Sequence, residues 1–269
     1  MTSHDQHQIE IEQNLKRWRE KPLLQEVYRR FYGLIAEQLR RDLPGKVVEI
    51  GSGCGNLKTV VPDCICTDLF ANPWIDQVES AYALSFKDGS VSNLVLFDVF
   101  HHLEFPGTAL QEFHRVLAPG GRLVIFEPAI SLLGWLVYGA FHHEPVGYFK
   151  KITWTSDQPQ SRYYSGQGNA TRVFRGPDYD MLLTDWRRVT TKRFSAISYV
   201  ASGGYGKPQL YPTSLLPVMT GVDKLGDLIP LLCATRLLVV LEKKYVASKT
   251  DNRFGRDDAR SSRSVLDCG

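Results

Sequence analysis

The chain has 269 residues, with 32 Lys plus Arg against 29 Asp plus Glu and a formal net charge of +3. That length buries a sizeable core without metal or disulfide help, and the charge is too slight for the concentrated basic face of a nucleic-acid binder. Five cysteines without a C-x-x-C pair point to a reducing compartment, the polar stretch 1–13 lacks the apolar core of a signal peptide, and the longest nearly uncharged run, 128–143, is too short and glycine-broken to span a bilayer.

Residues 9–42 carry helical spacing, interrupted at Pro22, where a second helix is expected to start. Leu23, Leu24, Val27, Tyr28, Phe31, Ile35 and Leu39 form its apolar stripe, with Arg29, Arg30, Arg40 and Arg41 outside it. A buried strand follows at 46–50 and runs into Gly51-Ser52-Gly53-Cys54-Gly55. Glycines there allow positive φ and let a ligand lie against bare backbone. The link 56–61 has room for only a turn or two of helix before strand two at 64–67. Cys64 and Cys66 share one face of that strand and read as core rather than as metal ligands, since no His or Cys lies near in sequence. A short third strand is expected near 77–79, a fourth at 91–99, a helix at 108–117 and a fifth strand at 122–126. Such strand–helix alternation predicts a parallel sheet with right-handed crossovers.

Beyond strand five the pattern changes. An apolar helix is expected over 129–141, then a loop rich in His, Tyr and small polar residues, a helix at 178–186 and a sixth strand at 188–200. The stretch 210–232 has scattered apolar residues and prolines, and the last strand falls at 236–241. The segment 248–269, with five basic and four acidic side chains and few apolar ones, reads as a disordered tail.

Asp68 ends the second apolar run, seventeen residues after Gly51, where a carboxylate can take ribose hydroxyls. The turn G-S-G-C-G-N does not complete the dinucleotide pattern G-x-G-x-x-G, because Asn56 stands at the third glycine. Four stretches together resemble class I S-adenosylmethionine-dependent methyltransferases, in the small-molecule branch called type 11. They are Val48-Glu49-Ile50-Gly51-Ser52-Gly53-Cys54-Gly55, then Ala81-Tyr82-Ala83-Leu84-Ser85-Phe86, then Phe97-Asp98-Val99-Phe100-His101-His102-Leu103, and last Arg115-Val116-Leu117-Ala118-Pro119-Gly120-Gly121-Arg122-Leu123. The resemblance covers about residues 45–128.

It implies a Rossmann-like α/β fold: seven strands, mostly parallel, with an antiparallel last strand, helices on both faces and an acceptor-covering insertion after strand five. The expected divisions are N-terminal helices as a lid (1–44), the methyltransferase domain (45–247) with its insertion at about 129–185, and the tail. S-adenosylmethionine is the implied cofactor, held by Gly51, Ser52, Gly53 and Gly55, supported by Glu49, with Asp68 on the ribose and Leu69, Ser80 and Ala81, with Tyr82, around the adenine; Asp98 belongs to the same set. Ser80 departs from the family's Asp and Ser85 from its Pro.

Methyl transfer to oxygen needs a base, and a histidine suits that near neutral pH. His101 and His102 follow strand four at the carboxyl edge of the sheet, where open α/β folds place ligands. The acceptor is expected to meet His142, His143, Glu144, Tyr163 and Tyr164 of the insertion. The expected reaction is methyl transfer to a small-molecule, glycan or lipid-linked acceptor. A non-catalytic cofactor-fold protein and a nicotinamide-dependent dehydrogenase are the competing readings. No metal and no nucleic-acid partner are expected; the location is cytoplasmic, and the apolar segments 129–141 and 210–232 allow peripheral membrane contact.

Overall fold

The computed structural model describes residues 3–140, 147, 150–158, 160, 166 and 168–245. Two helices come first, α1 (Ser3–Glu20) and α2 (Pro22–Ala36), with Pro22 at the first turn of the second, where its missing N–H costs nothing. A single seven-stranded sheet follows: β1 (Lys46–Ile50), β2 (Ile65–Asp68), β3 (Gln77–Val78), β4 (Val91–Phe97), β5 (Leu117–Pro128), β6 (Trp186–Ser195) and β7 (Ala234–Lys243). The spatial order is β3-β2-β1-β4-β5-β7-β6. Strands β1 to β5 pair in parallel, and β7 inserts antiparallel between β5 and β6. The order reverses between β1 and β4, so a crevice opens at their carboxyl ends.

Because side chains alternate along a strand, the two faces of the sheet bury two sets of residues. Val48, Ile50, Leu94, Leu96, Leu123, Ile125 and Leu237 pack on one side with Phe113 of α3 (Pro106–Val116) and with Phe174, which belongs to a later helix. Val47, Val95, Val124, Phe126, Leu238 and Val240 pack on the other with the α2 stripe Leu23, Leu24, Val27, Phe31 and Ile35. The β1–β2 link is a single 3-10 helix, Asn56–Thr59, as its length predicts.

After β5 come α4 (Leu132–Ala140) and α5 (Asn169–Arg175), and after β6 come α6 (Ile197–Ala201), α7 (Leu216–Gly226) and α8 (Pro230–Cys233). Three expectations shift. Residues 177–183 form a 3-10 helix and β6 starts at Trp186. Strand β6 stops at Ser195 rather than running to residue 200, because Asp227 and Asp223 accept from the Ser195 and Ser198 N–H groups and turn the chain into α6. The proline-bearing stretch 216–233 folds as two helices, each with its proline in the first turn.

Candidate functional site

The turn after β1 carries three left-handed residues in five: Gly51 at φ 70°, Gly53 at 55° and Gly55 at 65°. A Cβ at Gly51 would lie 2.5 Å from Val99 Cγ2, and one at Gly55 would lie 2.6 Å from the Trp74 carbonyl oxygen. Gly53 faces more open space, its nearest neighbour being Ile11 Cδ1 at 3.4 Å. Ser52 ties the turn to β2: its N–H donates to Thr67 O (2.8 Å) and its hydroxyl accepts from Thr67 N–H (3.1 Å). Glu49 is buried beneath the turn, where the Cys66 thiol donates to Oε2 (3.7 Å), and burial pushes its carboxyl well above the usual range.

Asp68 ends β2 against this turn. Oδ2 accepts from Gly53 N–H (2.8 Å) and Oδ1 from Leu69 N–H (2.7 Å), while burial raises its carboxyl above the usual range. Helix α1 lies across both. His7 Nε2 is 3.5 Å from Asp68 Oδ1, Gln8 Nε2 donates to Ala71 O (3.0 Å), and the Cys54 thiol donates to Ile11 O (3.6 Å). Sequence periodicity missed these contacts, because His7 and Gln8 sit in a polar stretch with no apolar rhythm.

Beside Asp68, Leu69 is half exposed, and the turn 80–86 follows β3, which pairs with β2. Ser80 Oγ accepts from Tyr82 N–H (3.3 Å), so the serine closes the turn on itself. The departure at Ser85 has a partner that sequence reading did not single out. Buried Glu79 accepts from Ser85 N–H (2.8 Å), from the Ser85 hydroxyl and from Gln77 Nε2 (2.6 Å).

The geometry separates the two histidines of the 3-10 helix Phe100–His102. His101 is 2% exposed, and its Nδ1 donates to Glu127 Oε2 at 2.6 Å. Glu127 Oε1 accepts from Val99 N–H (2.7 Å) and Phe100 N–H (2.6 Å), so this carboxylate at the end of β5 holds the whole segment. The His102 ring lies against His101, with centroids 4.2 Å apart and the planes tilted by 39°, and His102 keeps part of its surface exposed. Gly166 N–H donates to His101 O (2.9 Å) and Gln160 Nε2 to His102 O (3.0 Å). Gln160 also accepts from the Tyr82 hydroxyl (2.7 Å), joining the insertion to the 80–86 turn. His142, His143, Glu144, Tyr163 and Tyr164 lie outside the described residues.

A second constellation lies at the end of β4. Asp98 is the one non-glycine residue with positive φ (55°) among the described residues, a left-handed state that aspartate adopts more readily than most residues when its side chain has support. The support is Arg236 of β7, 1% exposed, whose Nη1 donates to Asp98 Oδ1. The guanidinium lies 4.4 Å from the Tyr199 ring centre, 5.4 Å from Phe31, 5.6 Å from Phe126 and 5.9 Å from Phe97. Tyr28 and Tyr205 continue this cluster to Asn56, whose Nδ2 donates to the Tyr205 hydroxyl (3.4 Å), and burial keeps both phenols well above their usual pKa. One buried ammonium holds the loop that carries Tyr205: Lys21 Nζ donates to the carbonyls of Ser202 (3.0 Å), Gly204 (2.6 Å) and Lys207 (2.7 Å).

Residues 48–125 match the model of the methyltransferase domain, type 11, the span that holds the glycine turn, Asp68 and Asp98. These residues form a methyltransferase domain, whose cofactor is S-adenosylmethionine. Among solved structures, the methyltransferase resembles a chain in the complex between the Haloferax volcanii Trm112 methyltransferase activator and its candidate methyltransferase. The identity is 12%, the alignment covers 91% of this chain and 99% of that chain, and the TM-score is 0.53. A SAM-dependent methyltransferase from Methanosarcina mazei aligns over 79% of this chain and 98% of its own at 15% identity, with a TM-score of 0.46. At such identities the Haloferax likeness is one of fold. No curated protein matches the chain.

The methyltransferase has the features that S-adenosylmethionine requires. Gly53 leaves the backbone approachable, a carboxylate ends β2 beside it, and a buried acid sits beneath the turn. Ser80→Asp is expected to tighten cofactor binding by up to about tenfold, or leave it unchanged, since a carboxylate accepts more strongly than a hydroxyl and can close the same turn. Calorimetric titration checks this; a large loss of affinity would show that residue 80 does not face the adenine.

Proposed function

We propose that the methyltransferase transfers a methyl group to an oxygen of a small-molecule, glycan or lipid-linked acceptor, with His102 as the base. S-adenosylmethionine supplies an electrophilic methyl group on a sulfonium. Around it, the backbone of Gly51, Ser52, Gly53 and Gly55 takes the amino-acid end, Glu49 braces that turn, and Asp68 accepts from the ribose hydroxyls. Leu69, Ala81 and Tyr82 wall the adenine, with Ser80 at its edge. Asp98, aimed by Arg236, lines the cleft between the turn and the histidines.

The observation that carries the assignment is the division of labour between the histidines. His101 is sealed and committed to Glu127, while His102 keeps exposed surface beneath the insertion. A base must reach the proton it takes, and displacement at the methyl carbon otherwise requires mainly position and orientation. His101 then serves as a positioning residue, its ring packed at a tilt against that of His102. His142, His143, Glu144, Tyr163 and Tyr164 are proposed as acceptor contacts from their place in the sequence alone. The enzyme is proposed to work in the cytoplasm.

The test is release of S-adenosylhomocysteine against a panel of phenolic, glycosidic and lipid-linked hydroxyl compounds. Turnover with at least one hydroxyl acceptor is expected. Turnover confined to amines or thiols would contradict the oxygen assignment.

A further inference from the structure

Lys21 is a buried cation that the methyl-transfer reading does not use, and it stands at a joint. It is the one residue between α1 and α2, with φ −122° and ψ 84°, outside the helical region as a residue before proline favours. It is 8% exposed, and its Nζ donates to the carbonyls of Ser202, Gly204 and Lys207 at 2.6–3.0 Å. An ammonium has three protons, so these carbonyls occupy all of them.

The loop 202–207 is shaped around that cation. Gly203 and Gly204 are consecutive left-handed residues, at φ 73° and 49°, and Lys207 N–H donates back to Gly203 O (2.8 Å). A Cβ at Gly203 would lie 2.3 Å from the carbonyl oxygens of Lys207 and Pro208, so the turn is as tight as a glycine allows. Three carbonyl oxygens brought to one point need a donor there, since a buried polar group without a partner is costly. Lys21 is that donor.

Two arms run from this joint to the turn after β1. Along α1, Ile11 O accepts from the Cys54 thiol (3.6 Å), the Ile11 side chain lies beside Gly53, and His7 Nε2 is 3.5 Å from Asp68 Oδ1. From the loop, the Tyr205 hydroxyl accepts from Asn56 Nδ2 (3.4 Å), and its ring meets Tyr28 edge-on with centroids 5.4 Å apart. The arms end on residues 53–54 and 56, which flank the left-handed Gly55 in the chain. We infer that Lys21 is a positioning residue for the cofactor, its ammonium closing a clasp of α1 and the 202–207 loop on the glycine turn. The inference rests on the reading that S-adenosylmethionine lies on that turn.

The test is calorimetric titration with S-adenosylmethionine of the wild type, Lys21→Met, Tyr205→Phe and the double variant, each paired with thermal unfolding. Lys21→Met keeps an unbranched apolar side chain and removes the ammonium. It should weaken binding about tenfold and Tyr205→Phe about threefold, within the range of a lost hydrogen bond. The Tyr205 arm is already loose in Lys21→Met, so the double variant should bind no more weakly than Lys21→Met alone. The melting temperature should fall with Lys21→Met in both backgrounds, which separates stability from affinity. A lysine that served only the fold would leave the affinity of a folded Lys21→Met unchanged, and that result would overturn the inference. So would a double variant whose loss is the product of the two single losses. Tyr205→Phe removes one hydroxyl from a partly exposed side chain and keeps the test open if Lys21→Met does not fold; wild-type affinity in that variant would also overturn the clasp. A wild type that binds no S-adenosylmethionine would overturn the cofactor reading as well, whereas equal affinity in four folded proteins would overturn this inference alone.

Discussion

His102→Ala is expected to lower turnover by about 10²–10⁴-fold, the usual contribution of a general base, with cofactor affinity near wild type and an unchanged melting temperature. Its ring is the exposed member of the pair, so removing it empties surface rather than core. His101→Ala should behave differently. It removes a hydrogen bond from Glu127, whose side chain is fully buried. A buried charged group that loses a partner costs about 1–3 kcal/mol, and the loss should appear as a lower melting temperature alongside reduced turnover. Measured together, activity and thermal unfolding separate a base from the residue that positions it. Equal turnover in wild type and a folded His102→Ala variant would remove the histidine from the chemistry.

The second large effect is expected at Arg236. Arg236→Met removes a cation from an aromatic enclosure and leaves Asp98 without its guanidinium partner. Breaking a buried ion pair from one side typically costs 3–5 kcal/mol; because the Asp98 side chain keeps 26% of its surface exposed, about 3 kcal/mol is expected. In a domain of this size that lowers the melting temperature by roughly 6–12 °C. The double variant Arg236→Met, Asp98→Asn should regain part of the loss, since no charge is then left unpaired. Arg236→Lys should recover little, because an ammonium cannot supply the planar fork or stack on Tyr199. Denaturant unfolding of the wild type, Arg236→Met, Asp98→Asn and the double variant closes the cycle, and additive effects would show that the two residues are not coupled.

These two sites also show where sequence reading stops. The glycine turn and the acid that ends β2 were legible because each is written locally: an apolar strand, a run of glycines, an acid at the end of the next apolar run; the seven-stranded, mostly parallel sheet with its antiparallel last strand came from the family resemblance. Glu127, Arg236 and Lys21 were not singled out. Their partners lie 26, 138 and 181 residues away, so nothing nearby announces the pairing. A signal was present nonetheless. Glu127 and Arg236 each flank an uninterrupted apolar strand, where a charged side chain is buried only if it is paired. Glu79 was missed for another reason. Comparison with the family's pattern drew attention to Ser80 and Ser85 as departures, whereas the compensating carboxylate stands one residue earlier. The early end of β6 was hidden because the two aspartates that turn it sit on α7 and just beyond it.

The most direct measurement is calorimetric titration of the wild type and Asp68→Ala with S-adenosylmethionine, and of the wild type with NAD. The wild type should bind S-adenosylmethionine and show no heat with NAD. Asp68→Ala should bind at least about tenfold more weakly, the loss of a charge-assisted contact worth roughly 1.5–3 kcal/mol, while its melting temperature shows it folded. Binding of NAD in preference to S-adenosylmethionine, or unchanged affinity in a folded Asp68→Ala variant, would contradict the account.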